Sequence, residues 1–113
     1  MWEIIHYTKE NGDSPVTEFL NKLDKPTKSK AAFLINSLRI GGNNLREPYT
    51  KFLRDGILEL RIKSENSVRV LYFFQSGQKI VLTNGFIKKT QKAPDDEIER
   101  ALKYKNDYIR RTK

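Results

Sequence analysis

Cysteine is absent from the 113-residue sequence, and histidine occurs only once, at His6. Without cysteine the chain has no disulfide and no thiolate ligand for a metal. A single histidine excludes multi-histidine metal sites and acid–base schemes that need a histidine pair. No segment approaches the ~20 apolar residues of a membrane span, and the N-terminus lacks the apolar run of a signal peptide. We therefore expect a cytoplasmic protein that uses no cofactor and contacts no membrane.

Acidic residues are outnumbered by basic ones. The sequence holds 22 Lys and Arg against 14 Asp and Glu, which gives a net charge of +8 and an isoelectric point near 9.8. On so small a protein this excess favours a polyanionic partner, nucleic acid first, although a lysine-rich soluble surface is the alternative. The hydrophobic content of 37% is enough for one core, so we predict a single domain over residues 1–113.

Three consecutive strands are predicted in the middle of the chain. Their ranges are Ile57–Lys63, Val68–Gln75 and a third segment from Ile80 to about Phe86. The first alternates apolar and charged residues, whereas the second is apolar on both faces and is therefore predicted to be central. The turns at Ser64–Asn66 and Ser76–Gln78 are too short for a parallel crossover, so we expect antiparallel pairing.

Helices are predicted on both sides of these strands. Two amphipathic helices precede them, and each begins with a capping residue and a proline, in Ser14-Pro15 and in Asp24-Lys25-Pro26. The second helix ends at Gly41-Gly42, and the short connection between the two predicts an antiparallel helical hairpin. A last helix opens at Pro94, with acidic residues in its first turn and basic residues in its last turn, as the helix dipole favours.

Two further segments complete the predicted fold. Met1–Thr8 is short and apolar-rich, which favours a strand at a sheet edge or beside the later strands. Asn43–Gly56, which contains Pro48, is predicted to be an irregular loop that carries several basic residues. The fold class is therefore α+β: a small, mainly antiparallel sheet with an N-terminal helical hairpin and a C-terminal helix.

Charged side chains on two of the strands are the first candidates for a site. Glu59, Arg61 and Lys63 share one face of their strand, although alternating charges are also the normal solvated face of an antiparallel sheet. Arg69 is the single charge in an apolar strand, and a buried charge without a partner is very costly. It either pairs with Glu59 across the hairpin or faces a wet groove. Arg61 and Arg69 share a face only if the turn between their strands has an odd number of residues.

A basic run follows the third strand. Lys88, Lys89 and Lys92 suit phosphate binding, although such a run is more often a solvated loop. With the two arginines it would surround a phosphodiester from three directions. Phe86 is a candidate for stacking on a base, but most strand aromatics are expected in the core.

Such a set of cations suits cleavage of RNA without a metal. The 2′-hydroxyl of RNA attacks its own phosphate when the backbone is bent in line. Lysine and arginine then stabilise the charge of the transition state, and a desolvated lysine or a carboxylate takes the proton. The predicted strands offer no cluster of acidic residues that would hold magnesium.

Four motifs together resemble a known family. They are L-x-D-G-I-L-E-L-R-I from Leu53, V-R-V-L-Y-F from Val68, G-F-x-K-K-T-x-K-x-P from Gly85 and E-I-E-R-A from Glu97. Over about the whole chain, the sequence resembles the phage-derived, HigB-like branch of the RelE/ParE toxin superfamily. The resemblance implies a toxin of a type II toxin–antitoxin pair with a RelE-like, microbial-ribonuclease-like fold. It also implies an enzyme that cuts mRNA in the ribosomal A site without metal, leaving a 2′,3′-cyclic phosphate.

The resemblance also assigns roles to residues. The catalytic candidates are Arg61, Arg69, Lys88, Lys89 and Glu59, and Lys92 falls in the same basic segment. The residues themselves add further candidates for RNA binding, so that the RNA-binding set is Lys51, Arg54, Lys63, Lys92 and Phe86. Glu59 either acts as a base or only positions Arg61. The histidine and aspartate that some HigB toxins carry near the end of the last strand are absent from Asn84–Ile87. A lysine, either Lys63 or one of the last cluster, becomes the candidate base instead.

The resemblance finally implies the binding partners of the protein, and two alternative functions remain open. The expected partners are a cognate antitoxin, a helix-turn-helix protein similar to HigA, together with the ribosome and mRNA. A ParE-like toxin that inhibits DNA gyrase without nuclease activity is one alternative. A non-catalytic RNA-binding domain is the other.

Overall fold

The computed structural model describes residues 1–89, 91 and 93–113. Its elements in chain order are β1 (Glu3–His6), α1 (Pro15–Asn21), α2 (Lys25–Gly41), a single 3₁₀ turn (Gly42–Asn44), β2 (Thr50–Arg54), β3 (Ile57–Lys63), β4 (Ser67–Gln75), β5 (Lys79–Ile87) and α3 (Asp95–Arg111). The α+β class, the two N-terminal helices and the C-terminal helix are confirmed.

The five strands form one sheet in the order β1-β5-β4-β3-β2. Strands β2 to β5 pair antiparallel with their sequence neighbours, because each connection is a tight turn. Strand β1 precedes the two helices, and it pairs parallel with β5 at the edge of the sheet. The predicted strands, their antiparallel pairing and the edge position of β1 are therefore confirmed.

The prediction of an irregular loop over Asn43–Gly56 is wrong for its second half. Thr50–Arg54 forms β2 and pairs antiparallel with β3. The turn between them is Asp55-Gly56, and both residues have positive φ, 52° and 81°. Asp-Gly between two strand-like runs is a strong hairpin signal. Pro48 and the scattered basic residues favoured the prediction of a loop. An edge strand carries few apolar residues, so its alternating pattern was too weak to indicate a strand.

The first two helices begin as predicted. The Ser14 side chain accepts a hydrogen bond from the Thr17 amide, and the Asp24 carboxylate accepts one from the Thr27 amide at 3.2 Å. A proline follows each capping residue in the first turn, where its missing N–H costs no hydrogen bond. Helix α2 ends at Gly41 and is capped by Gly42, whose φ of 55° suits glycine.

The helices cover the two faces of the sheet unequally. Helices α1 and α2 lie over one face, where Leu34 and Leu38 pack on Leu60 and Tyr72. Helix α3 lies over the other face, and its buried residues pack on a cluster that includes Leu71 and Phe73. This second face continues along β3 and β4 beyond Leu71, and there charged residues replace the apolar ones. In the described part of the chain, no helix has the length and hydropathy needed to cross a membrane.

Candidate active site

Arg61 and Arg69 lie directly opposite each other on β3 and β4. The register follows from the three-residue turn Ser64–Asn66, which joins the opposed residues Lys63 and Ser67. Directly opposed residues of an antiparallel pair project from the same face. The condition that the two arginines share a face is therefore met.

Glu59 lies between the two arginines and is almost fully buried, with 1% of its surface exposed. Its Oε2 accepts a hydrogen bond from Arg61 Nε at 3.0 Å, and its Oε1 lies 3.6 Å from Arg69 Nε. Arg69 is 6% exposed and also donates to the Val68 carbonyl at 3.1 Å. The pairing of Arg69 with Glu59, left open by the sequence, is thus present.

Burial changes the ionisation of two cations in this region. Loss of hydration lowers the pKa of Arg69, and the charge of Glu59 opposes that effect. Loss of hydration also lowers the pKa of Lys88, and the positive charge of Arg69 lowers it further. The Lys88 backbone amide donates to the Ser67 carbonyl at 2.7 Å, so Lys88 continues the line of β5 past its last residue. A neutral Lys88 amine is therefore easier to form than that of a lysine in water.

Two adjoining cavities open on this face. The first has a volume of about 520 Å³ and is lined by Lys63, Ser67, Arg69, Lys88, Lys89 and Gln91. The second has a volume of about 450 Å³, and its lining includes Lys51, Arg54, Glu59, Lys88, Gln91 and Asp95. Lys88 and Gln91 line both, so the two cavities are neighbours on one basic surface. We call it the basic groove and define it by these two sets of residues.

The basic groove can hold an anion but also contains acidic groups. Its basic side chains outnumber the carboxylates of Glu59 and Asp95, and Glu59 is already engaged by the arginines. Arg61 is 19% exposed and lies beside the groove through its hydrogen bond to Glu59. A phosphate oxygen is the kind of ligand that such a set of donors recognises.

The sequence matches one family by comparison with known protein families. Residues 18–106, most of the chain, match the family described as phage derived protein Gp49-like (DUF891). The chain belongs to the Gp49-like family. This is a RelE/HigB-type toxin-like family associated with the toxins of toxin–antitoxin systems, and it implies an antitoxin as partner. No curated protein matches the sequence.

Several predicted RNA-binding residues of this Gp49-like chain lie at the basic groove. Lys51 is exposed and lies opposite Glu59 on the neighbouring strand, and Lys63 is exposed at the end of β3. Arg54 lines the groove but forms ion pairs with Asp55 at 3.0 Å and Glu99 at 3.1 Å. It therefore connects β2 to α3, and a phosphate would have to compete with two carboxylates for it.

Phe86, the residue predicted to stack on a base, does not contribute in the expected way. Phe86 is 7% exposed and packs in the cluster beneath α3, opposite Arg69 on the neighbouring strand. Its buried ring leaves no face for stacking on a base, so the sequence-based role is not supported. Lys92 lies outside the described residues.

Asn84 is a residue of this region that the sequence patterns did not indicate. It is 3% exposed, and its Nδ2 donates to the backbone carbonyl of Glu97 at 3.3 Å and to the Glu97 carboxylate at 3.1 Å. These bonds hold the first turn of α3 against β5, at the wall of the groove. The available signal was a lone amide in an otherwise apolar strand, where a buried polar group needs a partner.

The arrangement has the parts of a phosphate-binding centre. It combines a shared carboxylate, two arginines on one face and a lysine of lowered pKa. Within residues 1–89, 91 and 93–113, no three His, Asp or Glu side chains are grouped so as to hold a metal ion. Charge stabilisation and proton transfer by side chains are the chemistry that these groups can supply.

Proposed function

We propose that this protein is the toxin of a type II toxin–antitoxin pair, HigB-like in its action, and that it cleaves mRNA on the ribosome. The observation that carries the proposal is the convergence of Arg61, Arg69 and Lys88 around the buried carboxylate of Glu59. Membership of the Gp49-like family supports the toxin assignment. The cleavage reaction rests on the chemistry of the groove.

In the proposed reaction, the 2′-oxygen of the ribose forms a bond to phosphorus while the bond from phosphorus to the 5′-oxygen breaks. The products are a 2′,3′-cyclic phosphate and a 5′-hydroxyl. Arg61 and Arg69 donate to the phosphate oxygens, whose negative charge increases in the transition state. Donors that are already oriented by Glu59 need no reorganisation at that moment.

Two protons move in this reaction. The neutral Lys88 amine accepts the proton of the 2′-hydroxyl, since its lowered pKa makes that form accessible. The 5′-oxygen takes a proton from the Lys89 ammonium, which is exposed on the same groove. Lys63 is the alternative base, but it is exposed to solvent, whereas Lys88 is partly buried beside the arginine pair.

Glu59 acts in this proposal as a positioning residue. Its Oε2 is hydrogen-bonded to Arg61, and its Oε1 is buried 3.6 Å from Arg69 Nε, where no hydrogen bond is formed among the described residues and the cation favours the ionised carboxylate. A carboxylate that contacts two guanidinium groups holds their orientation and offsets their mutual repulsion. The alternative that Glu59 itself is the base is therefore not favoured.

The partners follow from charge and location. The net charge of +8 and the exposed Lys51 and Lys63 at the groove suit contact with ribosomal RNA and mRNA in the cytoplasm. The antitoxin, a helix-turn-helix protein similar to HigA in this proposal, would neutralise the toxin by covering the basic groove. An anionic surface on the antitoxin would complement that groove.

The test is to map RNA ends in cells after induced expression. Wild-type protein should arrest translation and leave cleaved messages with 5′-hydroxyl ends. Arg69→Ala should lower cleavage about 100-fold or more, since loss of one transition-state donor costs roughly 2–4 kcal/mol. Arg39→Ala, a change on α2 away from the groove, should retain cleavage. Denaturant unfolding of each variant shows whether a loss of activity is a loss of fold.

Two results would overturn the proposal. Intact messages accompanied by DNA damage would indicate a gyrase inhibitor of the ParE type. Intact messages and normal replication would indicate an RNA-binding domain without catalysis.

A further inference from the structure

A small cavity of about 230 Å³ lies beside Arg61, at the edge of the sheet. Its lining includes Lys30, Phe33, Pro48, Tyr49, Arg61 and Lys63. It is formed where β2 stops short of the end of β3, so that the segment before β2 and helix α2 flank the unpaired end of that strand. We call it the aromatic cavity.

Two aromatic rings at this cavity are largely exposed to solvent. Phe33 is 68% exposed on α2, and Tyr49 is 50% exposed. The backbone holds Tyr49 in place, because its carbonyl accepts a hydrogen bond from the Arg61 amide at 2.8 Å and its amide donates to the Arg46 carbonyl at 3.0 Å. Large exposed rings beside a concave surface gain free energy when a partner covers them.

The charged residues that line the aromatic cavity are all basic, and one carboxylate, that of Glu47, lies just outside the lining at 4.0 Å from Arg61. Lys30, Arg61 and Lys63 line it together with apolar and aromatic residues, and none of its lining residues is acidic. Lys30 also donates to the Lys63 carbonyl, which holds α2 against the end of β3. Aromatic faces next to cations are the combination that binds single-stranded nucleic acid, in which bases stack and phosphates pair with lysine and arginine.

The aromatic cavity adjoins the basic groove. Lys63 lines both, and Arg61 lines the cavity while it hydrogen-bonds to Glu59 of the groove. Since Arg61 lines the same cavity as Phe33 and Tyr49, we expect a strand whose phosphate contacts Arg61 to place a neighbouring nucleotide beside these rings. The cavity is smaller than the ~300–1,000 Å³ of pockets for drug-sized ligands, which suits one flat ring system better than a protein helix.

We propose that the aromatic cavity binds one unpaired nucleobase of the RNA, next to the phosphate held in the basic groove. This proposal rests on the part of the proposed function that makes RNA the ligand of the basic groove. The base subsite itself does not depend on cleavage. Stacking accepts any base, because every base has a flat π-face. The subsite would also fix the position of the cut phosphate relative to the bound base.

The test compares binding of two labelled single-stranded RNA oligonucleotides by fluorescence anisotropy. One carries all its bases, the other is abasic, and 2′-O-methyl groups in both prevent cleavage. Wild-type protein should bind the base-bearing strand about tenfold more tightly. The double change Phe33→Ala and Tyr49→Ala should bring this ratio close to one, while affinity for the abasic strand stays as in the wild type.

Two matched variants control the interpretation. Tyr49→Phe keeps the ring and should keep the ratio. Ile40→Ala removes another apolar side chain of α2 that is 60% exposed, outside the lining of the aromatic cavity, and should also keep it. Unchanged unfolding curves would show that the double variant is folded.

The outcomes separate this proposal from the proposed function. Equal wild-type affinity for both strands, or an unchanged ratio in the double variant, would overturn the base subsite even if messages are cut in cells. A ratio that depends on Phe33 and Tyr49 would support it even if no message is cut. If the double variant instead loses binding of the antitoxin, while the ratio of its affinities for the two RNA strands is unchanged, the cavity is a protein-docking surface and the proposal is wrong.

Discussion

Arg61 and Arg69 face each other across β3 and β4, and one buried carboxylate, that of Glu59, contacts both. Two guanidinium groups on one face repel each other, so the carboxylate is what allows both to remain charged there. The same contact explains how the site withstands the burial of Arg69, since a buried cation without a counter-ion is strongly unfavourable.

Glu59→Gln should destabilise the fold by about 3 kcal/mol, because it leaves two cations around a neutral amide in a nearly water-free position. Urea unfolding at pH 7 measures this change. Glu47→Gln is the matched control, since Glu47 also faces Arg61, at 4.0 Å, but its side chain is 72% exposed. Exposed pairs contribute ~0–1 kcal/mol. Equal effects of the two changes would mean that Glu59 does not stabilise the arginine pair.

Lys88→Arg should abolish RNA cleavage while RNA binding is retained, because arginine keeps the positive charge but does not release its proton. In the wild type, the cleavage rate should rise with pH until Lys88 is neutral. That rise should end at a pH below the ordinary lysine pKa of 10.5, since burial and Arg69 lower the pKa of Lys88.

The measurement is single-turnover cleavage over a range of pH. Lys103→Arg, an exposed lysine of α3, should leave the profile unchanged. A Lys88→Arg variant that cleaves at the wild-type rate would show that another group takes the proton.

Asp107 should make the fold sensitive to acid. Hydrogen bonds from Arg111 and Tyr7 lower its pKa from about 3.8 to about 2. A carboxylate whose pKa is lowered in the folded state stabilises the fold above its unfolded pKa, and this contribution is lost as the pH falls through about 4 to about 2.

Asp107→Asn should therefore lower stability at pH 7 and flatten its decline between pH 4 and pH 2. Thermal unfolding at several pH values is the measurement. Glu10→Gln, a change of an exposed carboxylate outside the helices, should preserve the wild-type decline. If Asp107→Asn declines as steeply as the wild type, other carboxylates account for the acid sensitivity.

Gly85→Ala should destabilise the protein by about 1–3 kcal/mol. A Cβ atom at Gly85 would lie inside van der Waals distance of the Phe19 ring, which packs from α1 directly on the β5 backbone. Gly41→Ala is the matched control, because a Cβ there meets only Leu45 at an ordinary 3.6 Å in a helical position.

In a helix, alanine is favoured over glycine, so Gly41→Ala should be neutral or slightly stabilising. Denaturant midpoints of the two variants provide the comparison. A neutral Gly85→Ala would mean that the Phe19 ring moves aside at little cost.

Local patterns were enough for most of the secondary structure. The alternation in Ile57–Lys63, the apolar run of β4 and the capping residues Ser14 and Asp24 each predicted an element that the structure confirms. Strand β2 was missed, because an edge strand needs only one partner and little apolar surface. Its Asp55-Gly56 turn was the remaining signal.

The candidate site was less predictable than the fold. The odd length of the Ser64–Asn66 turn allowed Arg61 and Arg69 to share a face of the sheet. The observed register, in which the two residues are directly opposed, places them on the same face. Phe86 looked suitable for stacking, but helix α3 covers it. Phe33 and Tyr49 lie on unrelated segments, and no spacing in the sequence indicates that they line one cavity.

The sequence by itself determined the order and type of most elements, the excess of positive charge and the presence of an arginine in a central strand. These properties depend on residues close together in the chain, where periodicity and capping act. Only the tertiary structure decided that Glu59 is shared by two arginines, that Lys88 is partly desolvated and that an aromatic cavity adjoins them. Such properties arise from contacts between distant segments, and each requires the whole sheet to be assembled before the charges and rings meet.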